Sequence, residues 1–233
     1  MEYSGRELEA MERARNYYRW ILREFRPYLG KHVVEVGAGI GTVSTFLLRE
    51  AIEQLTLLEP ARNLFPLLHR RFADQRRVRL VRGSLEDAAA ELRLRPADSV
   101  LLVNVLEHLP DDGDALRLAF SVLRPGGYLL LFVPALPQLY GSLDQAFGHV
   151  RRYTRAELAR KVRGAGFSIV TLKYWNLVGA LMWILLAKVL GRRSIGRISV
   201  VLYDRLVVPW LFPLEHRAEP PLGQSLLGIC RRL

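Results

Sequence analysis

Short apolar runs alternate with stretches of helical spacing over most of the first 175 residues, and that alternation predicts the architecture. Residues 33–36, 54–58, 78–81, 98–103 and 128–133 read as strands, each separated from the next by a helix-like segment. This is the pattern of a parallel sheet with helices on both faces. Thr154 followed by Glu157 has the form of a capping box. The helix it starts closes at Gly164-Ala165-Gly166, before a strand from Phe167 to Tyr174, and a last strand is expected from Gln224 to Arg231. At the other end, Leu8, Met11, Tyr18, Leu22 and Phe25 recur at helical spacing, which predicts one amphipathic helix from Arg6 to Phe25, stopped by Pro27.

Two stretches do not fit the alternation. Tyr174 to Ala187 is 14 residues without a charge, and Ile198 to Phe212 is apolar except for Asp204-Arg205 and a break at Pro209. Neither reaches the ~20 residues that cross a bilayer. They carry Trp175, Trp183 and Trp210 and are flanked by Lys173, Lys188, Arg192, Arg193 and Arg197. Such segments suit an interfacial or ligand-capping element, or a helical pair packed on the sheet or on a second subunit in a homodimer.

The sharpest local signal is Val33-Val34-Glu35-Val36-Gly37-Ala38-Gly39-Ile40-Gly41, a strand running through three alternate glycines into a helix that begins at Thr42. Glycine turns admit a ligand close to the backbone, and the helix start offers N–H groups to an anionic group. A dinucleotide fingerprint requires its third glycine where this chain has Thr42. The acid-x-G-x-G-x-G string, with Glu35 two residues before the first glycine, instead resembles motif I of class I S-adenosylmethionine-dependent methyltransferases.

Further segments follow in the order that family requires. Glu59 ends the second strand about 20 residues on, where a carboxylate accepts ribose hydroxyls. Arg82-Gly83-Ser84-Leu85 matches the adenine-contacting loop, although many relatives have Asp at the position of Ser84. Asn104-Val105-Leu106-Glu107-His108 is similar to the motif after strand four, and Leu123-Arg124-Pro125-Gly126-Gly127 to the entry into strand five. The resemblance covers residues 30–175. It implies a Rossmann-like class I methyltransferase sheet with helices on both faces and a hydrophobic helical insertion before the last strand. It divides the chain into a helical lid (1–30), a cofactor-binding core (31–175), the insertion (176–222) and the last strand (223–233). The implied cofactor is S-adenosyl-L-methionine, contacted by Tyr17, Glu35, Gly37, Ala38, Gly39, Gly41, Glu59, Ser84, Leu85, Asn104 and Val105.

Residues 134–153 are rich in Pro, Gly and polar groups, longer than an ordinary connection, and read as a substrate loop. With Tyr174-Trp175-Asn176, this loop resembles that of a bacterial methyltransferase subgroup found near glycosyltransferase and natural-product genes. An imidazole can exchange a proton near neutrality, so His149 is either a general base for a hydroxyl acceptor or a structural bond to the loop. Asp144 either orients His149 or caps a turn. Arg151 and Arg152 are expected to point opposite ways, with Arg152 facing a substrate phosphate or carboxylate. His108, Tyr140 and Tyr153 complete the expected acceptor residues. In some quinone-pathway relatives a Glu-His pair like Glu107-His108 helps to hold a metal, but their upstream acid is Asn104 here, and no metal ligand is assigned.

Composition narrows the class. The 233 residues suffice for one domain with an appendage, and the lone Cys230 excludes a disulfide framework. No apolar leader occupies the first fifteen residues, which makes a cytoplasmic site the expectation. The net charge is +11, and only four of the 34 basic residues are lysine. Arginine of this abundance suits phosphate, lipid or nucleic-acid surfaces, but no basic run is interleaved with stacking aromatics, which argues against nucleic acid as partner. The expectation is O-methylation of a small or lipid-linked, partly hydrophobic acceptor, with an RNA methyltransferase and a non-catalytic cofactor-binding or membrane module as the rival readings.

Overall fold

The computed structural model describes residues 2–3, 7–192, 194 and 196–233. Arg6, the expected helix start, and the flanking Arg193 lie outside the described residues. Seven strands, β1 (His32–Val36), β2 (Gln54–Leu58), β3 (Val78–Val81), β4 (Ala97–Val103), β5 (Leu123–Pro134), β6 (Phe167–Trp175) and β7 (Ser225–Arg232), form one sheet in the order β3-β2-β1-β4-β5-β7-β6. All pair in parallel except β7, which runs antiparallel between β5 and β6. The order reverses between β1 and β4, so a crevice opens at their carboxyl ends, where ligands of open α/β sheets bind.

Both faces of the central strands are apolar, which is why these segments read as continuous hydrophobic runs. Val33, Leu55, Leu57, Leu101, Leu130 and Phe132 pack on one side, beneath the helix carrying Trp20, Ile21 and Phe25. Their neighbours Val34, Val100, Leu102, Leu129 and Leu131 pack on the other. The helices are α1 (Glu7–Met11), α2 (Arg15–Phe25), α3 (Thr42–Leu47), α4 (Phe65–Phe72), α5 (Leu85–Leu94), α6 (Asp112–Val122), α7 (Ser142–Phe147), α8 (Arg155–Gly164), α9 (Leu177–Trp183), α10 (Arg197–Leu206) and α11 (Val208–Arg217). α9 runs on as a π-helical turn, Ile184–Val189.

Three departures from the sequence expectation bear on the site. The N-terminal helix is two pieces, because α2 starts afresh on a remote cap. The Asp204 carboxylate of α10 accepts the backbone N–H groups of Asn16 (3.1 Å) and Tyr17 (2.8 Å). Residues 137–153 are not an open loop. Leu139, Leu143 and Phe147 form a small core with Ala180, Trp183 and Ala187 of the insertion. Finally, Trp175 and Trp183 are buried and only Trp210 is exposed, so the tryptophans do not form a common belt.

Candidate active site

The cofactor half is built by the turn after β1. Gly37, Gly39 and Gly41 all have positive φ, which disfavours any side chain there. Their surroundings differ. A Cβ on Gly37 would come within 2.8 Å of Val105, and one on Gly41 within 2.2 Å of the Phe72 ring, whereas one on Gly39 would meet only Leu8, at 3.6 Å. Gly37 thus lets the turn approach the β4 loop, Gly41 lets it pack on α4, and Gly39 leaves space on the open side. Glu59, at the end of β2, ties this turn down. Its Oε2 accepts the Gly39 N–H (2.6 Å) and its Oε1 the Ala61 N–H (2.8 Å). Burial raises the Glu59 carboxyl against these two bonds. Glu35 is also buried and accepts the Ser44 hydroxyl (2.6 Å), and burial pushes its carboxyl up to about 8.

A cleft of ≈ 360 Å³ opens over this turn, within the ~300–1,000 Å³ range of small-molecule sites. Eight of the eleven expected cofactor residues line it: Tyr17, Glu35, Gly37, Ala38, Gly39, Glu59, Asn104 and Val105. Gly41, Ser84 and Leu85 are not among its lining residues. Gly41 serves helix packing. Ser84 caps α5, exchanging hydrogen bonds with Asp87, and Leu85 lies in the core. Asn104 stands at the end of β4 in a left-handed conformation. Asn176 repeats this after β6, lines the cleft, and was not expected as a site residue. Its signal was the same strand-then-asparagine pattern, Val103-Asn104 and Trp175-Asn176. Residues present fit S-adenosylmethionine: Gly39 leaves open space, and each Glu59 oxygen, bonded once, keeps a lone pair for a hydroxyl.

On the acceptor side, the structure brings Glu107, His108, Asp144, His149 and Arg152 together. Asp144 is fully buried and saturated. Its Oδ1 accepts His149 Nδ1–H (2.8 Å) and Arg152 Nε–H (2.7 Å), and its Oδ2 accepts the Gly141 N–H (2.9 Å) and Trp183 Nε1–H (3.3 Å). Burial alone would raise this carboxyl, but His149 and Arg152 outweigh it and hold it below the usual range. An ionised Asp144 is acceptor only, so His149 donates from Nδ1, and in its neutral form Nε2 is the acceptor nitrogen. His149 lines the cleft.

Glu107 is the anomaly of the site. It is fully buried, and neither carboxylate oxygen has a hydrogen-bond partner. Oε1 lies 3.9 Å from His149 Nε2. Burial pushes its carboxyl up to about 7, against the pull of the His149 and Arg152 charges. His108, whose Nδ1 donates to the Gly148 carbonyl (3.2 Å), is lowered to about 4 by burial and then by His149. Donor atoms of Glu107, His108 and His149 lie within 4.8 Å of one another, a set that can also hold a metal ion.

Three acceptor expectations need adjustment. Arg152 lines the cleft as expected but is not a free anion clamp: Nε is bonded to Asp144, Nη1 donates to the Ala135 carbonyl (2.9 Å), and the guanidinium stacks 4.5 Å over Trp183. Tyr153 is fully buried, its hydroxyl donating to Asp112 (2.9 Å), because the chain re-enters the core there. Tyr140 is not a lining residue and braces the loop by donating to the His149 carbonyl (2.8 Å). As expected, the adjacent Arg151 points elsewhere, to Asp112 and the Pro110 carbonyl.

Sheet order, glycine turn and paired carboxylates together define a class I methyltransferase fold. The chain belongs to the methyltransferase domain family, whose profile matches residues 10–172. No curated protein sequence matches it significantly. Among solved structures it is similar to a S-adenosylmethionine-dependent methyltransferase from Archaeoglobus fulgidus (17% identity, covering 97% of this chain and 99% of that one, TM-score 0.64). One from Mesorhizobium loti is similar at 14% identity over 91% and 95% of the chains, with TM-score 0.60. So is the 1,6-didemethyltoxoflavin-N1-methyltransferase of Burkholderia thailandensis, bound to its substrate and S-adenosylhomocysteine (19% identity, 92% and 76% coverage, TM-score 0.57). The chain is a S-adenosylmethionine-dependent methyltransferase.

Proposed function

We propose that this enzyme methylates a hydroxyl oxygen of a small or lipid-linked acceptor with a large apolar part. The observation that carries this reading is the His149–Asp144 dyad: an imidazole whose Nδ1 is bonded to a buried Asp144 (2.8 Å), in a cleft lined largely by apolar residues such as Met182, Trp183, Leu186 and Val200. Bound at the glycine turn, S-adenosylmethionine supplies an electrophilic methyl group. The chain supplies the rest. Gly39, Glu59, Asn104 and Tyr17 hold the nucleoside end, and the apolar wall orients the acceptor and excludes water. His149 Nε2 takes the hydroxyl proton, and Asp144 stabilises the imidazolium that forms. Arg152 keeps Asp144 ionised. The resemblance of the 134–153 loop to that of a bacterial subgroup found near glycosyltransferase genes is compatible with a sugar- or lipid-linked hydroxyl.

The test offers paired alcohol and amine amphiphiles to the enzyme with S-adenosylmethionine carrying a 13C-labelled methyl group. O-methyl product from the alcohols, lost by one to two orders of magnitude or more in His149→Ala, supports the reading. Methylation of the amines alone, or an unaffected variant, contradicts it. A second reading rests on the unpartnered Glu107: a divalent ion held by Glu107, His108 and His149 would activate the hydroxyl instead. Chelation separates the two, abolishing activity in the second and leaving it intact in the first.

A further inference from the structure

Helices α9 and α10 turn one face to the cleft, and α11 follows α10. Gly179, Met182, Trp183 and Leu186 line it from α9 and its π-helical extension, and Ser199, Val200 and Tyr203 from α10. Their opposite face is exposed and apolar. On α9 and its extension, Leu181, Leu185 and Val189 stand four residues apart and are 59%, 45% and 68% exposed. Along α10 and α11, Ile198, Leu202, Leu206, Trp210 and Leu214 keep the same spacing, each more than half exposed. That interval places each series along one side of its helices. An apolar surface this extended marks an interaction site.

The charge around it says what covers it. The only acids in residues 177–217 are Asp204 and Glu215. Both are buried and used as helix caps: Asp204 on α2, and Glu215 on α9, where it accepts the N–H groups of Asn176 (2.8 Å) and Leu177 (2.9 Å). Lys188, Arg192, Arg197, Arg205 and Arg217 are all exposed. These helices therefore present apolar side chains and positive charge and no exposed acid of their own; the exposed Glu9 of α1 pairs with Arg197 and leaves Lys188, Arg192, Arg205 and Arg217 to set the charge. A second copy of the same face would set like charges against each other. No helix of the described residues is long and apolar enough to cross a membrane.

We infer that α9 to α11 dock this enzyme peripherally on an anionic lipid surface, with Leu185, Leu202, Leu206 and Trp210 entering the interface and the basic side chains meeting lipid headgroups. Met182 joins the two faces, being both a cleft-lining residue and 40% exposed. It marks a route by which an amphiphilic acceptor passes from the bilayer to the cleft. The route rests on the proposed apolar acceptor, whereas docking does not.

The experiment is co-sedimentation of the full chain with vesicles of phosphatidylcholine alone or mixed with phosphatidylglycerol, alongside calorimetric titration with S-adenosylhomocysteine. Binding to the mixed vesicles only, weakened by salt, is the expected result. Leu202→Ser/Trp210→Ser and Lys188→Glu/Arg205→Glu should each reduce the bound fraction about tenfold or more, with S-adenosylhomocysteine affinity unchanged as proof of folding. Indifference to anionic vesicles overturns the inference, as does binding that neither variant weakens. A vesicle-indifferent dimer that Leu202→Ser/Trp210→Ser dissociates would assign the face to a second copy. Vesicle binding without turnover would overturn the acceptor reading and leave docking standing.

Discussion

Glu59 holds two backbone N–H groups and offers its remaining lone pairs to the cleft, so it acts on the turn and on the ligand together. Glu59→Ala should weaken S-adenosylmethionine binding by at least the ~1.5–3 kcal/mol of hydrogen bonds to a charged group. Glu59→Gln should cost less, since an amide oxygen still accepts. Isothermal titration checks both, and unchanged affinity in both would place the ribose elsewhere. Glu35 gives a pH dependence. Its ordinary value is 4.5 and its folded value about 8, so between these the folded state keeps a proton that the unfolded chain has lost. The associated stability is present in full below about pH 4.5 and is lost as pH rises through about 8. Melting curves of the ligand-free protein should show a fall between pH 5 and 8 that is shallower in Glu35→Gln. An equal slope in the variant would refute this role. The motif made Glu59 and Gly39 legible. Gly41 and Ser84 belong to the same motifs, yet their roles depend on Phe72 and Asp87, contacts that spacing alone does not reveal.

Strands were the most legible elements, because two apolar faces leave an uninterrupted signal, and six of the seven lie within one residue of their expected bounds, while β5 starts five residues early, at Leu123. Residues 137–153 were not, because Pro137, Gly141 and Gly148 read as loop punctuation while Leu139, Leu143 and Phe147 find their partners only in the insertion. The split between α1 and α2 was equally hidden: its cause, Asp204, is 188 residues from Asn16. Because one buried carboxylate caps α2 and holds α10 against it, Asp204→Ala should destabilise the fold by ~1–2 kcal/mol. Asp204→Asn, which can still accept, should recover part of that. Chemical denaturation measures the difference, and a variant as stable as wild type would show that α10 is held by its apolar contacts alone.

The molecule combines a family cofactor crevice with the proposed acceptor end of the same cleft, lined by helices that follow β6. The cofactor half could be read from sequence because its motifs are local. The acceptor half was legible only in part: the Asp144–His149 pair was among the expected alternatives, but Glu107 and Trp183 join it from separate segments. Joining the two halves is the account's central claim, and a crystal structure with S-adenosylhomocysteine bound tests it most directly. The account predicts ribose hydroxyls on Glu59, the amino-acid end along the Gly37–Gly39 turn, and the sulfur facing the His149 side of the cleft. A nucleoside bound away from Glu59, or a sulfur directed away from His149, would contradict it.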